Sequence, residues 1–280
     1  MNININIADI ICKIDGDQKI VGLIKNNCSE FLSNKKEDYI IKINLGDKIE
    51  VKEVINKNGK VVEILGEREK IIEKKDYYLI NSEFFNGFVY VNKNEAEFNI
   101  LDSNEYLWLM LRNLLRVCYA IISFKNNGFL VHGSCMVKDN KAYLFCGKPG
   151  TGKSTVAKLS KSKVLSDESL IIRNVKNKIF IYGTPFGGEL EPLNDRGELE
   201  KILFLIQDKN TYFKKMSLHE SIAEFMQNEF LSFTLIFKDN NKTVRKIFIK
   251  TSELLNRIKC YYMYFTMEDD LMKKVSKIED

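Results

Sequence analysis

Three short segments carry the residue types that chemistry requires. Gly147, Lys148, Pro149, Gly150, Thr151, Gly152, Lys153 and Ser154 fit the pattern G-x-x-x-x-G-K-[ST], with Thr155 next in line. An apolar run precedes the pattern, and Ser154 to Lys161 after it can form a helix. Glycines at such positions let backbone amides turn inward around an anion, and a helix start adds the positive end of its dipole. Lys153 can then reach the β and γ phosphates of a nucleotide, and the Ser154 hydroxyl can bind Mg²⁺. Residues 147 to 155 are therefore expected to form a nucleotide-phosphate loop; the plain alternative is a glycine-rich turn between a strand and a helix.

The second segment is Ser166-Asp167-Glu168, at the end of the short strand-like run Val164 to Ser166. Two adjacent acids soon after a phosphate loop can divide the work of transfer, one near the metal and one accepting a proton from an attacking hydroxyl. Standing alone, the pair would read as a solvated acidic turn. The third is His132, one of two histidines, in Phe129-Leu-Val-His-Gly shortly before the loop. A lone strand histidine is ordinarily structural, and so is His219, at the second position of a capped helix.

The elements that must position these groups are legible in outline. Residues 1 to 102 hold alternating and β-branched runs, among them Tyr39 to Leu45, Val61 to Leu65 and Tyr77 to Ile80, with a polar turn at Asn56 to Lys60. They read as a β-rich domain with packing or substrate-presenting duties. From Ser103, Leu107, Met110, Leu111, Leu114, Leu115, Cys118 and Ile122 recur at helical spacing until Asn126-Asn127-Gly128. Phe129 to Val137 and Ala142 to Cys146, with a polar turn at Lys138 to Lys141, read together as a hairpin delivering the chain to the loop. Leu170 to Ile172 with Ile179 to Tyr182 read as a second hairpin, Lys201 to Gln207 as a further strand. Ser217 and Glu220 form a capping box for a helix to about Phe230.

Composition narrows the classes. Of 280 residues, 45% are hydrophobic and 29% charged, and the net charge is +5 without a basic block, so no nucleic-acid partner is implied. The six cysteines have neither C-x-x-C spacing nor a histidine placed for zinc, and read as reduced thiols of a cytoplasmic protein. No signal-like start is visible, and Arg112 and Arg116 interrupt the most apolar helix candidate, so no membrane partner is expected.

His132-Gly133-Ser134, Gly147 to Ser154 and Ser166-Asp167-Glu168, in this order, resemble the catalytic domain of the HPr kinase/phosphorylase family, in its divergent HPr-kinase-related branch. The likeness covers residues 128 to 190 well and the rest to 280 in outline. It implies an α/β fold: a P-loop domain of the HPr kinase/phosphoenolpyruvate carboxykinase type over residues 103–280, preceded by the smaller β-rich domain. It implies an ATP- and Mg²⁺-dependent kinase acting on a serine of a protein or precursor peptide, and assembly with further copies of the chain. By resemblance, Asp167 is the proton acceptor, Glu168 takes the metal-proximal position with Ser154, and His132 orients the acids and phosphates. Tyr182-Gly-Thr-Pro-Phe-Gly-Gly stands where the family has Glu-x-Arg-Gly, so dephosphorylation is not carried over. The loop through Glu189 and Glu191 to Arg196 is expected either to close over the acceptor, with Arg196 neutralising phosphate, or to be plain surface. A small-metabolite kinase would share the whole site, and a nucleotide-binding regulatory module would need no second acid there.

Overall fold

The computed structural model describes residues 1–46, 62–64, 67–102, 106–148, 150–160, 162–228, 241–266 and 271–278. The turn at 56–60, parts of the run at 61–65, Ser103, Pro149, Lys161 and Phe230 lie outside them. The protein is mixed α/β, with two sheets and several helices. By its contacts the chain forms two units, residues 1–122 with 232–245, and residues 123–231 with 246–280.

The first unit holds an eight-stranded sheet. Its elements are β1 (Asn2–Ile7), β2 (Ile10–Asp15), α1 (Gln18–Asn27), β3 (Tyr39–Leu45), β4 (Val62–Ile64), β5 (Glu67–Glu73), β6 (Tyr77–Asn81), β7 (Phe85–Tyr90) and β8 (Glu95–Ile100). The strand order is β1-β2-β3-β8-β7-β6-β5-β4. Asp17 caps α1 by accepting from the Ile20 amide at 2.8 Å, which satisfies one of the amides a helix start leaves open. The long helix α2 (Leu107–Lys125) buries Leu111, Leu114, Leu115 and Cys118 at three- and four-residue steps. Its Tyr119 hydroxyl lies 3.3 Å from the Ile5 carbonyl and 3.4 Å from that of Ile10. By length and composition α2 is apolar enough to cross a membrane, the arginines notwithstanding, and 83% of its most apolar window is buried inside the protein. Arg116 is itself buried, and donates to Asn113 Oδ1 at 3.0 Å.

The second unit is built on nine strands. In chain order its elements are β9 (Gly128–His132), β10 (Ser134–Lys138), β11 (Lys141–Cys146), α3 (Lys153–Leu159), β12 (Lys163–Ser166), β13 (Ser169–Val175), β14 (Lys178–Gly183), β15 (Arg196–Gln207), β16 (Tyr212–Lys215), α4 (Leu218–Asn228), α5 (Asn241–Leu255), β17 (Lys259–Phe265) and α6 (Leu271–Val275). The main path runs β12-β10-β11-β15-β14-β13-β9, and β17 pairs with both β15 and β16. Two tight turns, Asp139-Asn140 and Lys176-Asn177, have both residues at positive φ, matching the right-handed strand twist that two-residue hairpins need. The capping box is present, with Ser217 N donating to Glu220 Oε2 at 2.8 Å and Glu220 N to Ser217 Oγ at 3.2 Å.

One expectation is corrected. Phe129 to Val137 is not a single arm of a hairpin but two strands with a break at Gly133: β9 pairs with β13, whereas β10 lies between β12 and β11. A Cβ on Gly133 would stand 2.8 Å from both Leu144 Cδ1 and the Phe145 carbonyl oxygen, so the chain can switch partners there only without a side chain.

One face of β11, β15 and β17 forms the core beneath α3 and α6, where alternate residues Tyr143 and Phe145, Leu203 and Leu205, Met263 and Phe265 meet Val156, Leu271 and Val275. Each fully buried aliphatic or aromatic side chain contributes about 1.5–3 kcal/mol. All six cysteines are free and buried. Burial pushes the Cys12 and Cys28 thiols up to about 12 and Cys260 to about 11, which keeps them protonated at neutral pH and unreactive. Aromatic disulfide reagent at pH 8 should therefore label none of the six thiols of the native chain within minutes and all six after denaturation in urea; rapid labelling of the folded protein would contradict this burial.

Candidate functional site

The glycine loop follows β11 and precedes α3, the order that the pattern requires. Gly147, Gly150 and Gly152 take φ of 147°, 83° and 101°, a backbone that side-chain-bearing residues rarely adopt. Thr151 N donates to the Lys148 carbonyl at 3.2 Å within the loop, and no atom would meet a Cβ on Gly150 within 4 Å. Gly152 is the N-cap of α3, and Thr151 closes the turn by donating from its hydroxyl to the Lys148 carbonyl at 2.8 Å. Lys153 is 7% exposed, and its ammonium lies across the loop, donating to the Gly147 carbonyl at 2.5 Å and the Lys148 carbonyl at 3.3 Å. Ser154 and Thr155 occupy the first turn of α3, Ser154 half-buried and Thr155 exposed. Pro149 lies outside the described residues.

One side-chain and one backbone hydrogen bond gather the other two segments here. Ser134 Oγ donates to the Lys153 carbonyl at 3.2 Å, and Gly133 N donates to the Glu168 carbonyl at 3.0 Å. His132 stands opposite Ser169 in the β9–β13 pairing, and Cys135 stands opposite Ser166 in the β10–β12 pairing. The three segments singled out by sequence thus meet where β9 gives way to β10 and β12 to β13. His132 Nδ1 lies 3.4 Å from Glu168 Oε1, within ion-pair range though outside hydrogen-bond geometry, and this nitrogen is buried with no hydrogen-bond partner.

The two acids have unlike surroundings. The Glu168 side chain is 32% exposed beside His132. Asp167 is 2% exposed, and its carboxylate is held by the loop after β14, accepting from Glu189 N at 3.1 and 3.2 Å and from Leu190 N at 3.2 Å. Gly188, at φ 110°, passes so close to Asp167 Oδ1 that a Cβ would collide with it. Asp167, expected as the proton acceptor, is thus the enclosed acid of the pair, its carboxylate accepting from two backbone amides. Glu168 is the acid that faces outward.

The loop itself is anchored rather than loose. The Thr184 hydroxyl donates to the Ser169 carbonyl at 2.8 Å, Phe186 is fully buried, Leu193 N donates to the Leu165 carbonyl at 3.0 Å, and Lys158 pairs with Glu189. Glu189 raises the Lys158 ammonium above its ordinary value by hydrogen bonding and by charge. Glu191 is exposed. Arg196 is exposed and lies along the sheet surface, with its guanidinium 4.5 Å above the Phe180 ring and an N–H donated to the Tyr182 hydroxyl at 3.1 Å. His219 is an exposed residue of α4.

Sequence reasoning missed Gln207, whose side-chain amide reaches the Gly150 and Thr151 carbonyls at 3.4 Å each. The signal was its place at the C-terminal end of a strand parallel to β11, the edge where open α/β sheets put their ligand-facing groups. Among the described residues no group of three or more His, Cys, Asp or Glu side chains converges on one point. The oxygen donors at hand, the Ser154 hydroxyl and the Glu168 carboxylate, are hard and few, which fits Mg²⁺, an ion that keeps several waters and takes phosphate oxygens for the rest.

The chain matches no family model, and no curated protein sequence matches it.

Because Gly133 sits between the three segments, Gly133→Ala should lower stability by about 1–3 kcal/mol through overpacking and displace Glu168. Urea unfolding measures the first. A variant with wild-type stability would show that the switch of partners does not need glycine.

Proposed function

We propose that this chain is an ATP- and Mg²⁺-dependent kinase of the HPr-kinase-like type, built on a P-loop domain, which transfers the γ-phosphoryl group to a hydroxyl, with a serine of a protein or precursor peptide as the acceptor. The observation that carries the reading is the convergence of three segments on one corner: the glycine loop with Lys153, His132, and the outward-facing Glu168, tied together by the Ser134–Lys153 and Gly133–Glu168 hydrogen bonds. Binding alone would need the loop. A histidine and an acid fixed beside it suit transfer.

In this reading the loop amides and the Lys153 ammonium hold the phosphate oxygens and offset the charge that spreads over them in the transition state. Ser154 and Glu168 would hold Mg²⁺, which when bound would supply further neutralisation of phosphate oxygens. The acceptor hydroxyl gives its proton to the Glu168 carboxylate as its oxygen bonds to the γ-phosphorus, and the bond to the β-phosphate oxygen breaks, releasing ADP. His132, 3.4 Å away, orients Glu168. Asp167 has a positioning role: with its carboxylate on the amides of Glu189 and Leu190, it fixes the loop that walls the corner.

Two comparisons test this. Lys153→Ala should keep the fold but weaken ATP binding in calorimetry and abolish transfer from labelled ATP to proteins or peptides of a lysate from its own cells; unchanged affinity and turnover would remove the phosphate-loop assignment. Glu168→Gln should lower transfer by about 10² to 10⁴, the usual worth of a general base, while ATP still binds. Asp167→Asn should instead lower the thermal midpoint, since it weakens charge-assisted bonds to two amides. If Asp167→Asn stopped transfer at unchanged stability while Glu168→Gln did not, the proton acceptor would be Asp167 after all.

A further inference from the structure

Within the second unit, at the ends of β9 and β13 remote from His132 and Glu168, lies a cavity of about 310 Å³ that the proposed kinase chemistry does not use. Its size falls in the range of small-molecule sites. Its walls are apolar, formed by the buried side chains of Phe129, Ile172, Ile179 and Leu254. Asn127 and Asn174 add polar groups from the strand side, and its charged groups come from one stretch: Lys250, Glu253 and Arg257 follow one another at helical spacing along one face of α5 and just past its end.

The cations there are not spent on carboxylates. The Lys250 ammonium donates to the Phe124 carbonyl at 2.9 Å and lies 4.4 Å from the Phe124 ring centre, leaving two of its three N–H groups. The Arg257 guanidinium donates one N–H to the Asn177 carbonyl at 2.6 Å. Among the described residues neither side chain has an ion-pair partner, although Glu253 stands at the same cavity. Burial lowers the Lys250 ammonium below its ordinary value, outweighing the opposing pull of the Glu253 charge. The single acid limits the charge such a site accepts, because a polyanion such as a nucleotide triphosphate would meet Glu253 as well as the two cations.

From this arrangement we infer that the cavity is a second binding site, separate from the glycine loop, for a small amphipathic monoanion: an apolar or aromatic body seated on Phe129, Ile172, Ile179 and Leu254, with one carboxylate on Lys250 and Arg257. The inference stands apart from the kinase reading, since none of its residues belongs to the corner at His132.

Methyl NMR of the full chain, titrated with phenylacetate, 2-phenylethanol and phenethylamine, tests it. Phenylacetate should shift the methyl signals of Ile172, Ile179 and Leu254 saturably, and the alcohol and the amine should bind at least about tenfold more weakly, the worth of one charge-assisted hydrogen bond. Arg257→Gln, at an exposed position, should weaken phenylacetate by about the same factor, and Asn174→Trp, which narrows the mouth, should abolish the shifts. Addition of ATP with Mg²⁺ should leave phenylacetate binding unchanged. The inference is overturned if these methyls do not respond, if the three probes bind alike, if neither variant weakens phenylacetate, or if ATP competes with it.

Discussion

The hydrogen bond from Gly133 N to the Glu168 carbonyl closes the second unit on itself. In the strand path, β9 lies at one end, and β10 is next to β12 at the other. A single residue, Gly133, joins β9 to β10, and Asp167 with Glu168 joins β12 to β13. Both ends of the path must therefore meet at one corner, which rolls the sheet. Every polar group assigned to chemistry lies along this seam or on the loop that Ser134 ties to it. The closure costs conformational freedom in two chain segments, and the long central strand β15, paired on both flanks, offsets that by burying Leu203 and Leu205.

Much of this was legible in the residues because it depends on local rules. Tyr39 to Leu45 alternates and forms β3 over the same residues; Leu107 to Ile122 recurs at helical steps and forms α2; Ser217 and Glu220 cap α4 as their spacing requires. The glycine loop was legible because positive φ and a helix start leave little choice of residue. The partner switch at Gly133 was not, since Phe129 to Val137 is uniformly strand-forming and hydrophobic pattern does not report which neighbour a strand chooses.

The unlike surroundings of the two acids were hidden for a related reason. Asp167 and Glu168 form the bend between β12 and β13, where no strand alternation fixes side-chain direction and nothing local says which acid is enclosed. The loop that encloses Asp167 begins beyond β14, and its contribution is two backbone amides, invisible to any reading of side-chain types. Arg196 shows the same dependence: its contacts are two ring faces and a hydroxyl from its cross-strand neighbours Phe180 and Tyr182, which its own place beside a glycine-rich loop does not announce. Tertiary register, more than composition, set the contacts of each.

The parallel pairing of β15 with β17 also governs when the site comes into being. Residues 201–207 cannot complete their outer flank until residues 259–265 arrive, after α4 and α5 have been added to the chain. Non-local parallel pairs form slowly because loop closure precedes their reward. Gln207, which braces the glycine loop, ends the strand that waits for this partner. On the ribosome, the bracing of the glycine loop is consequently a late acquisition: a nascent chain that has already displayed the whole loop still lacks the finished strand pair from which Gln207 reaches it.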